Sequence, residues 1–277
     1  MRGQIIKIRS NIHEVESNHQ IYNLIPRGHF RKDKILPRVG DEVEFDEQKQ
    51  VIEKILPRKN EFDRPLVSNI DQAFIVTSLK EPDLSLSLLD RFLIMMELHH
   101  VTSIICLSKK DLLTKKEQED IKPFIAYYKS IGYLVVYNDE LDTIKQQLKG
   151  KTSVFVGQSG AGKSTLLNHL DSSFHLATGE ISKALGRGRH TTRNVELYPF
   201  LDGKVLDTPG FSALTFQNSK GNLKEAFVEF QNYPCPFKDC SHTNEKECVV
   251  KQAVVQNKIL ESRYQSYLKF LKEMKSC

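Results

Sequence analysis

The sequence predicts a multidomain α/β chain: a small N-terminal β-barrel, a P-loop α/β domain and a C-terminal helical domain pinned by a metal. Three observations carry this. Short strands with Pro and Gly between them fill residues 1–62. Strands then alternate with helical patterns around the octapeptide Gly157-Gln158-Ser159-Gly160-Ala161-Gly162-Lys163-Ser164. Finally, three of the five cysteines lie between Cys235 and Cys248, with His242 among them. The expected domain boundaries are 1–62, 63–220 and 221–277.

In the first segment, residues 4–8 read as a strand, 40–45 as a tight turn into an alternating strand, and 51–55 as another alternating strand. Arg27, Arg31, Lys32, Lys34 and Arg38 gather around Phe30. Cations around an aromatic suit a nucleic-acid face, because phosphates attract charge and bases need a stacking surface; a solvated loop has the same composition. Residues 57–65 are polar and bounded by prolines, which reads as a linker.

Residues 72–76 open the second segment as a buried strand. Helical spacing follows over 88–99 and 117–131, with strands at 103–107, 132–136, 153–156 and 203–206 and a helix over 164–170. The octapeptide matches G-x-x-x-x-G-K-[ST] at every fixed position and joins a strand to a helix, which an ordinary glycine turn would not require. Backbone N–H groups of such a loop surround phosphates, and the helix N-terminus adds partial positive charge. Gly157 to Ser164, with Thr165 behind them, are therefore candidate nucleotide-binding residues. Lys163 would reach the β- and γ-phosphates and Ser164 would ligate Mg²⁺.

Two further pieces address which nucleotide. Asp207-Thr208-Pro209-Gly210 ends a strand, which suits an Mg²⁺-linked Asp207 and a Gly210 N–H on the γ-phosphate; alone it is a common turn. Upstream, the strand over 103–107 runs into Ser108-Lys109-Lys110-Asp111, which is close to N/T-K-x-D. An Asp at this place accepts from guanine N1–H and the exocyclic amine, a donor pair that adenine lacks. Alone it would be a surface charge cluster, and Ser108 stands where Asn or Thr is usual. The base-reading element precedes the phosphate loop, the reverse of the ordinary order. A parallel sheet tolerates such a permutation when its termini lie close together.

With these motifs, the segment Gly186-Arg187-Gly188-Arg189-His190-Thr191-Thr192-Arg193 and the C-terminal Cys/His cluster, nearly the whole chain resembles the RsgA (YjeQ/YloQ) family. These are circularly permuted GTPases of small ribosomal subunit maturation. The resemblance implies an N-terminal OB-like β-barrel that contacts ribosomal RNA, a circularly permuted P-loop GTPase domain and a C-terminal zinc-binding helical domain. It also implies GTP and GDP as ligands with Mg²⁺, and the small ribosomal subunit and its rRNA as partners. Guanosine tetraphosphate is a candidate competitor at a GDP site. The family usually carries a Ser-Ala element after the strand at 132–136; here Tyr137-Asn138 follows, with no role assignable from sequence.

Residues 176–194 are long for a loop and lie where GTPases keep the first switch. Thr191 and Thr192 are both candidates to reach Mg²⁺ and the γ-phosphate. Phe211 occupies the place of the water-orienting Gln and can neither donate nor accept. His190 is the candidate to hold the attacking water, as the family implies; the alternative is that it binds RNA with Arg187 and Arg189.

Cys235, Cys240, His242 and Cys248 give C-x4-C-x-H-x5-C. Three thiolates and an imidazole suit one tetrahedral zinc, and four protein ligands leave no open position, so the site is expected to be structural. Cys106, on an apolar strand, reads as a buried small hydrophobe and Cys277 as a free thiol. Apolar residues from 254 to 274 recur at helical spacing, with Lys251, Lys258, Arg263, Lys269, Lys272 and Lys275 on or near the polar sides.

No stretch approaches the about 20 apolar residues of a membrane span, and the first residues lack a signal-peptide core. A cytoplasmic protein without a membrane partner is expected, as a monomer. A net charge of +5 is compatible with nucleic acid without requiring it. The leading expectation is a ribosome-stimulated GTPase. Two others stand beside it: an RNA-binding assembly factor that uses GTP and GDP only as a binding switch, and an ATP-dependent P-loop enzyme with a chance Ser-Lys-Lys-Asp.

Overall fold

A computed structural model describes residues 1–28, 30, 35–171, 195–207, 216, 221–237 and 239–275. The chain forms two compact units. One holds Met1–Ala73, Leu141–Phe155 and Lys163–Ser212, the other Phe74–Glu140, Val156–Gly162 and Ala213–Cys277.

In the first unit, β1 (Arg2–Arg9), β2 (Ile12–Ser17), β3 (Gln20–Pro26), β4 (Glu42–Asp46) and β5 (Val51–Ile55) form a barrel. Their order is β1-β2-β3-β5-β4, closed by β4 pairing back on β1, Gly3 opposite Val43. All these pairings are antiparallel except β3 with β5, the arrangement of an OB-fold. Alternation turns Ile5, Val15, Leu24, Val43, Phe45 and Ile52 inward, and Phe30 joins them. Closure removes most of the exposed edge that a five-stranded sheet would otherwise present.

Two sequence expectations change here. Phe30 is 3% exposed and so belongs to the barrel core rather than to a stacking surface. Arg38 is 7% exposed; its guanidinium donates to Asp63 Oδ1 at 2.8 Å and to the Phe62 carbonyl. Neither can serve a nucleic-acid face, while Arg27, which is exposed, pairs with Glu53 at 2.7 Å. Arg31, Lys32 and Lys34 lie outside the described residues. The expected linker is also ordered: β6 (Glu61–Asp63) and β7 (Leu66–Ser68) make a hairpin. Arg58 forks onto the fully buried Asp41 at 2.7 and 2.8 Å, and Ser68 donates to the same carboxylate. One of the polar residues that suggested a linker, Arg58, thus pairs with a buried charge, while Lys59 pairs with Asp71 at 2.7 Å and Asn60 donates to the Ile70 carbonyl at 2.7 Å.

The same unit continues through β11 (Thr152–Val156), β13 (Gly203–Asp207) and β12 (Glu196–Phe200) to β1, in that spatial order. β11 and β13 are parallel, and β12 pairs antiparallel with both β13 and β1. Helices α3 (Leu141–Leu148) and α4 (Lys163–Leu170) belong here too.

In the second unit the strand order is β10 (Leu134–Tyr137), β9 (Thr102–Ser108), β8 (Gln72–Ser78), with β9 and β10 parallel. Cys106 on β9 is fully buried, and burial pushes its thiol up to about 12, so it behaves as a small hydrophobe. α1 (Leu86–Leu98) starts at an N-cap Ser85, and α2 (Lys115–Ser130) starts at a Thr114–Glu117 capping box. The C-terminal part carries α5 (Leu223–Ala226), α6 (Val249–Val255) and α7 (Glu261–Lys275).

The single C-terminal helix expected from spacing is therefore two helices. Asn257 takes a left-handed φ of 57° and donates to the Val254 carbonyl, and Lys258 donates to Ala253, the bonds of a Schellman stop. Ile259, fully buried in the connection, keeps the apolar spacing running across the break. Arg263, expected on a polar side, is completely buried. Among the described residues no helix is long and apolar enough to cross a membrane.

Candidate functional site

The phosphate loop runs from the buried end of β11 through 157–162 into α4. Gly157 is required there: its φ is +144°, and a Cβ would lie 2.1 Å from the Val76 carbonyl oxygen. Gly162 is also left-handed, at +89°. Ser159, Gly160 and Thr165 are exposed, Gln158 is half-buried, and Ser164 is buried in the first turn of α4.

The candidate base-reading segment, Ser108 to Asp111, is tied to this loop by Ser108. At the end of β9, 2% exposed, it donates from Oγ to the Ala161 carbonyl at 2.7 Å. The hydroxyl that replaces Asn or Thr is thus committed to the loop rather than to a base. Lys109 holds φ +60° and donates from Nζ to the Glu81 carbonyl. A non-glycine residue there costs about 1–2 kcal/mol and persists where its surroundings hold it. Lys110 places its ammonium 4.3 Å from the centre of the Tyr137 ring, so Tyr137 is a platform for this element. The Asn138 N–H donates to Leu107. Asp111 sits exposed in the 3₁₀ turn Lys110–Leu112.

Lys80, Glu81 and Tyr137 were not found from sequence, and only the Thr-x-x-Glu cap at 114–117 could have signalled that this loop is braced. In the first unit, Asp207 ends β13 opposite Glu196 in β12. Gly210, Phe211, His190, Thr191 and Thr192 lie outside the described residues.

Burial lowers the Lys163 ammonium to about 8. If Lys163 reaches the phosphates of a bound nucleotide, their charge favours the ammonium, and binding above that pH takes up a proton. GDP affinity is therefore expected to be level from pH 6.5 to 8 and to fall by up to about tenfold per pH unit above it. Calorimetry at pH 8.5 in two buffers of different ionisation enthalpy reads the proton uptake directly. Lys163→Arg, charged throughout, should abolish the uptake; uptake that persists in this variant overturns the assignment to Lys163.

Cys235, Cys240, His242 and Cys248 converge so that their four ligand atoms lie within 4.8 Å of one another. A tetrahedral zinc needs sulfur–sulfur edges of about 3.8 Å and sulfur–nitrogen edges of about 3.5 Å. The Cys235 and Cys248 sulfurs are 3.8 Å apart, and His242 Nδ1 lies 3.5, 3.5 and 3.4 Å from Cys235, Cys240 and Cys248. The set fits zinc. Glu245 accepts from the N–H groups of Ser241 and Thr243, which hold its carboxyl down at about 2 and fix the loop that carries His242.

The RsgA GTPase family model matches residues 55–217, and the RsgA N-terminal domain model matches residues 2–52. The chain belongs to the RsgA GTPase family. RsgA relatives extend along its whole length. The small ribosomal subunit biogenesis GTPase RsgA of Latilactobacillus sakei is 46% identical over 99% of this chain and 96% of its own. RsgA 2 of Listeria innocua, with the same description, is 47% identical over 100% of this chain and 98% of its own. The solved YjeQ from Thermotoga maritima superposes with a TM-score of 0.83 at 33% identity, covering 100% of this chain and 99% of that one. YloQ, described as a circularly permuted GTPase, gives 0.81 at 34% identity, covering 99% and 95%. The fold is thus a permuted GTPase joined to an OB-like barrel. This RsgA-family chain is a GTP hydrolase, with GTP and GDP as ligands and Mg²⁺ as the ion such enzymes use.

Proposed function

We propose that this GTPase acts in late maturation of the small ribosomal subunit, that the subunit stimulates its hydrolysis, and that hydrolysis to GDP and phosphate drives its release. The relatives' shared description as small ribosomal subunit biogenesis GTPases, over full length, is the observation that carries this. The barrel and the zinc-pinned helices, which precede and follow the nucleotide domain in sequence with boundaries near 62 and 220, would be the modules that hold rRNA. The protein would act as a cytosolic monomer.

In this reading Asp111 selects guanine, Lys163 neutralises charge on the β- and γ-phosphates, and the loop amides of 157–162 hold the phosphate oxygens. Ser164 and Asp207 would hold Mg²⁺, which would supply positive charge to the phosphates. Thr191 or Thr192 would complete the site when GTP is bound, and His190 would hold the attacking water as a hydrogen-bond acceptor. Phe211 cannot orient that water.

The deciding experiment is GTP hydrolysis by the purified protein with and without small ribosomal subunits, with ATP as control. Strong stimulation by the subunit with GTP and none with ATP is expected. Slow turnover that subunits leave unchanged overturns this reading in favour of an RNA-binding factor that uses the nucleotide only as a switch.

A further inference from the structure

The residues just after β8 hold the base-reading element at both of its ends. Lys109, immediately before the 3₁₀ turn that carries Asp111, donates to the Glu81 carbonyl. Glu117, in the first turn of α2, takes the Lys80 ammonium on both carboxylate oxygens, at 2.9 and 3.1 Å. The same Glu117 accepts the Thr114 N–H at 2.7 Å, so the ion pair and the helix cap share one carboxylate. The segment giving these bonds is itself fixed: Leu79 donates to the Ser108 carbonyl at 3.0 Å, and the fully buried Ser78 donates to the Lys80 carbonyl at 2.6 Å. Pro82 lies against the phosphate loop, 3.6 Å from where a Cβ on Gly160 would stand. Asp111 is thus carried on a short span, 109–117, whose two ends both rest on residues 80 and 81.

We propose that Lys80 is a positioning residue for guanine recognition: with the Glu81 carbonyl it braces the span that presents Asp111. The inference rests on Asp111 as the guanine reader. Lys80 touches no base. It acts by removing freedom from a carboxylate that must meet two donors of the base at once, and that geometry tolerates little displacement. The contact is made equally to GTP and to GDP, so the brace contributes to binding in ground and transition states alike. Lys80 and Glu117 are partly exposed, 32% and 42%, which keeps the expected effect modest and sensitive to salt.

The test is equilibrium binding of GDP and of IDP, which lacks the exocyclic amine, to the full chain. Lys80→Met is expected to weaken GDP about threefold to fivefold, to lower the GDP-over-IDP preference, and to raise KM for GTP with kcat unchanged. Glu117→Gln, which keeps the cap but not the charge, should do the same, and adding it to Lys80→Met should cost nothing more. Lys80→Arg should restore the preference. Equal losses for GDP and IDP, an unchanged preference in Lys80→Met, or failure of Lys80→Arg to restore it each overturn the brace. Asp111→Asn separates the two layers. If it leaves the preference intact, the base-reading assignment fails and the brace with it. If it abolishes the preference while Lys80→Met keeps it, only the brace fails.

Discussion

Replacing Arg263 by methionine is expected to destabilise the chain by about 3–5 kcal/mol, the largest single-residue effect outside the metal site. Arg263 on α7 is fully buried, as is Asp90 on α1, and Glu229 in the 3₁₀ turn Val228–Asn232 is 2% exposed. The guanidinium forks onto Glu229 at 2.7 and 2.8 Å and donates to Asp90 at 2.9 Å; Tyr128 donates to the same Asp90 oxygen at 2.7 Å. Phe227 lies under its plane at 4.7 Å. Burial alone would strip the guanidinium of its proton more easily, but the two carboxylates more than offset this and hold it charged well above its usual range.

Methionine would leave two carboxylates in a dry interior with no cation, and that uncompensated charge sets the cost. Replacing Arg263, Asp90 and Glu229 together by apolar residues of similar volume should recover most of the loss. Urea unfolding followed by near-ultraviolet dichroism reads this region, since the chain has no Trp and Tyr127, Tyr128, Tyr133, Tyr264 and Tyr267 belong to this unit. A loss below about 1 kcal/mol for Arg263→Met, or no recovery in the triple variant, overturns the account.

Arg263 also shows where the sequence stopped being legible. A charged residue among lysines at helical spacing reads as a solvated face. Its partners stand 34 and 173 positions away, and no local pattern announces them. Arg38 was misread for the same reason, since Asp63 is 25 positions off. Features whose meaning is local were read correctly in type: the strands at 51–55 and 153–156, the loop before α4 and the Cys/His spacing, which folds into a tetrahedral set. β2 escaped notice because two of its inward residues, His13 and Ser17, are polar, which erases the apolar alternation although the burial alternates perfectly well. Ser17 can face inward because its hydroxyl donates to the Arg2 carbonyl at 2.6 Å. The base-reading element was legible as a motif, but its anchorage was not. The bonds from Ser108 to Ala161 and from Lys80 to Glu117 join residues 53 and 37 positions apart.

Removing zinc is expected to lower the midpoint of thermal unfolding by at least about 10 °C, and to do so unevenly. α7 is held from two directions. Tyr264 and Tyr267 donate to the carbonyls of His242 and Ser241 at 2.7 Å each, so the loop between the ligands rests on one part of the helix. From the other side α1 holds it through Asp90 with Arg263, and through Arg91, which pairs with Glu273 at 2.7 Å and lies 5.0 Å from the Phe270 ring. Two tyrosine hydrogen bonds contribute about 1 kcal/mol each, whereas undocking α7 would also uncover the fully buried Phe270 and part Arg263 from Asp90, so metal loss should melt the loop and leave α7 docked. Hydrogen exchange after chelation should therefore rise over residues 235–255 while residues 86–98 and 261–275 keep most of their protection. Cys240→Ser should behave like the chelated protein, and one cobalt per chain should show tetrahedral absorption with a thiolate charge-transfer band. Loss of protection in α1 together with the loop would mean that the metal, rather than the Arg263 triad, holds the C-terminal helix to the nucleotide domain. An unchanged midpoint after chelation would remove zinc from the fold altogether.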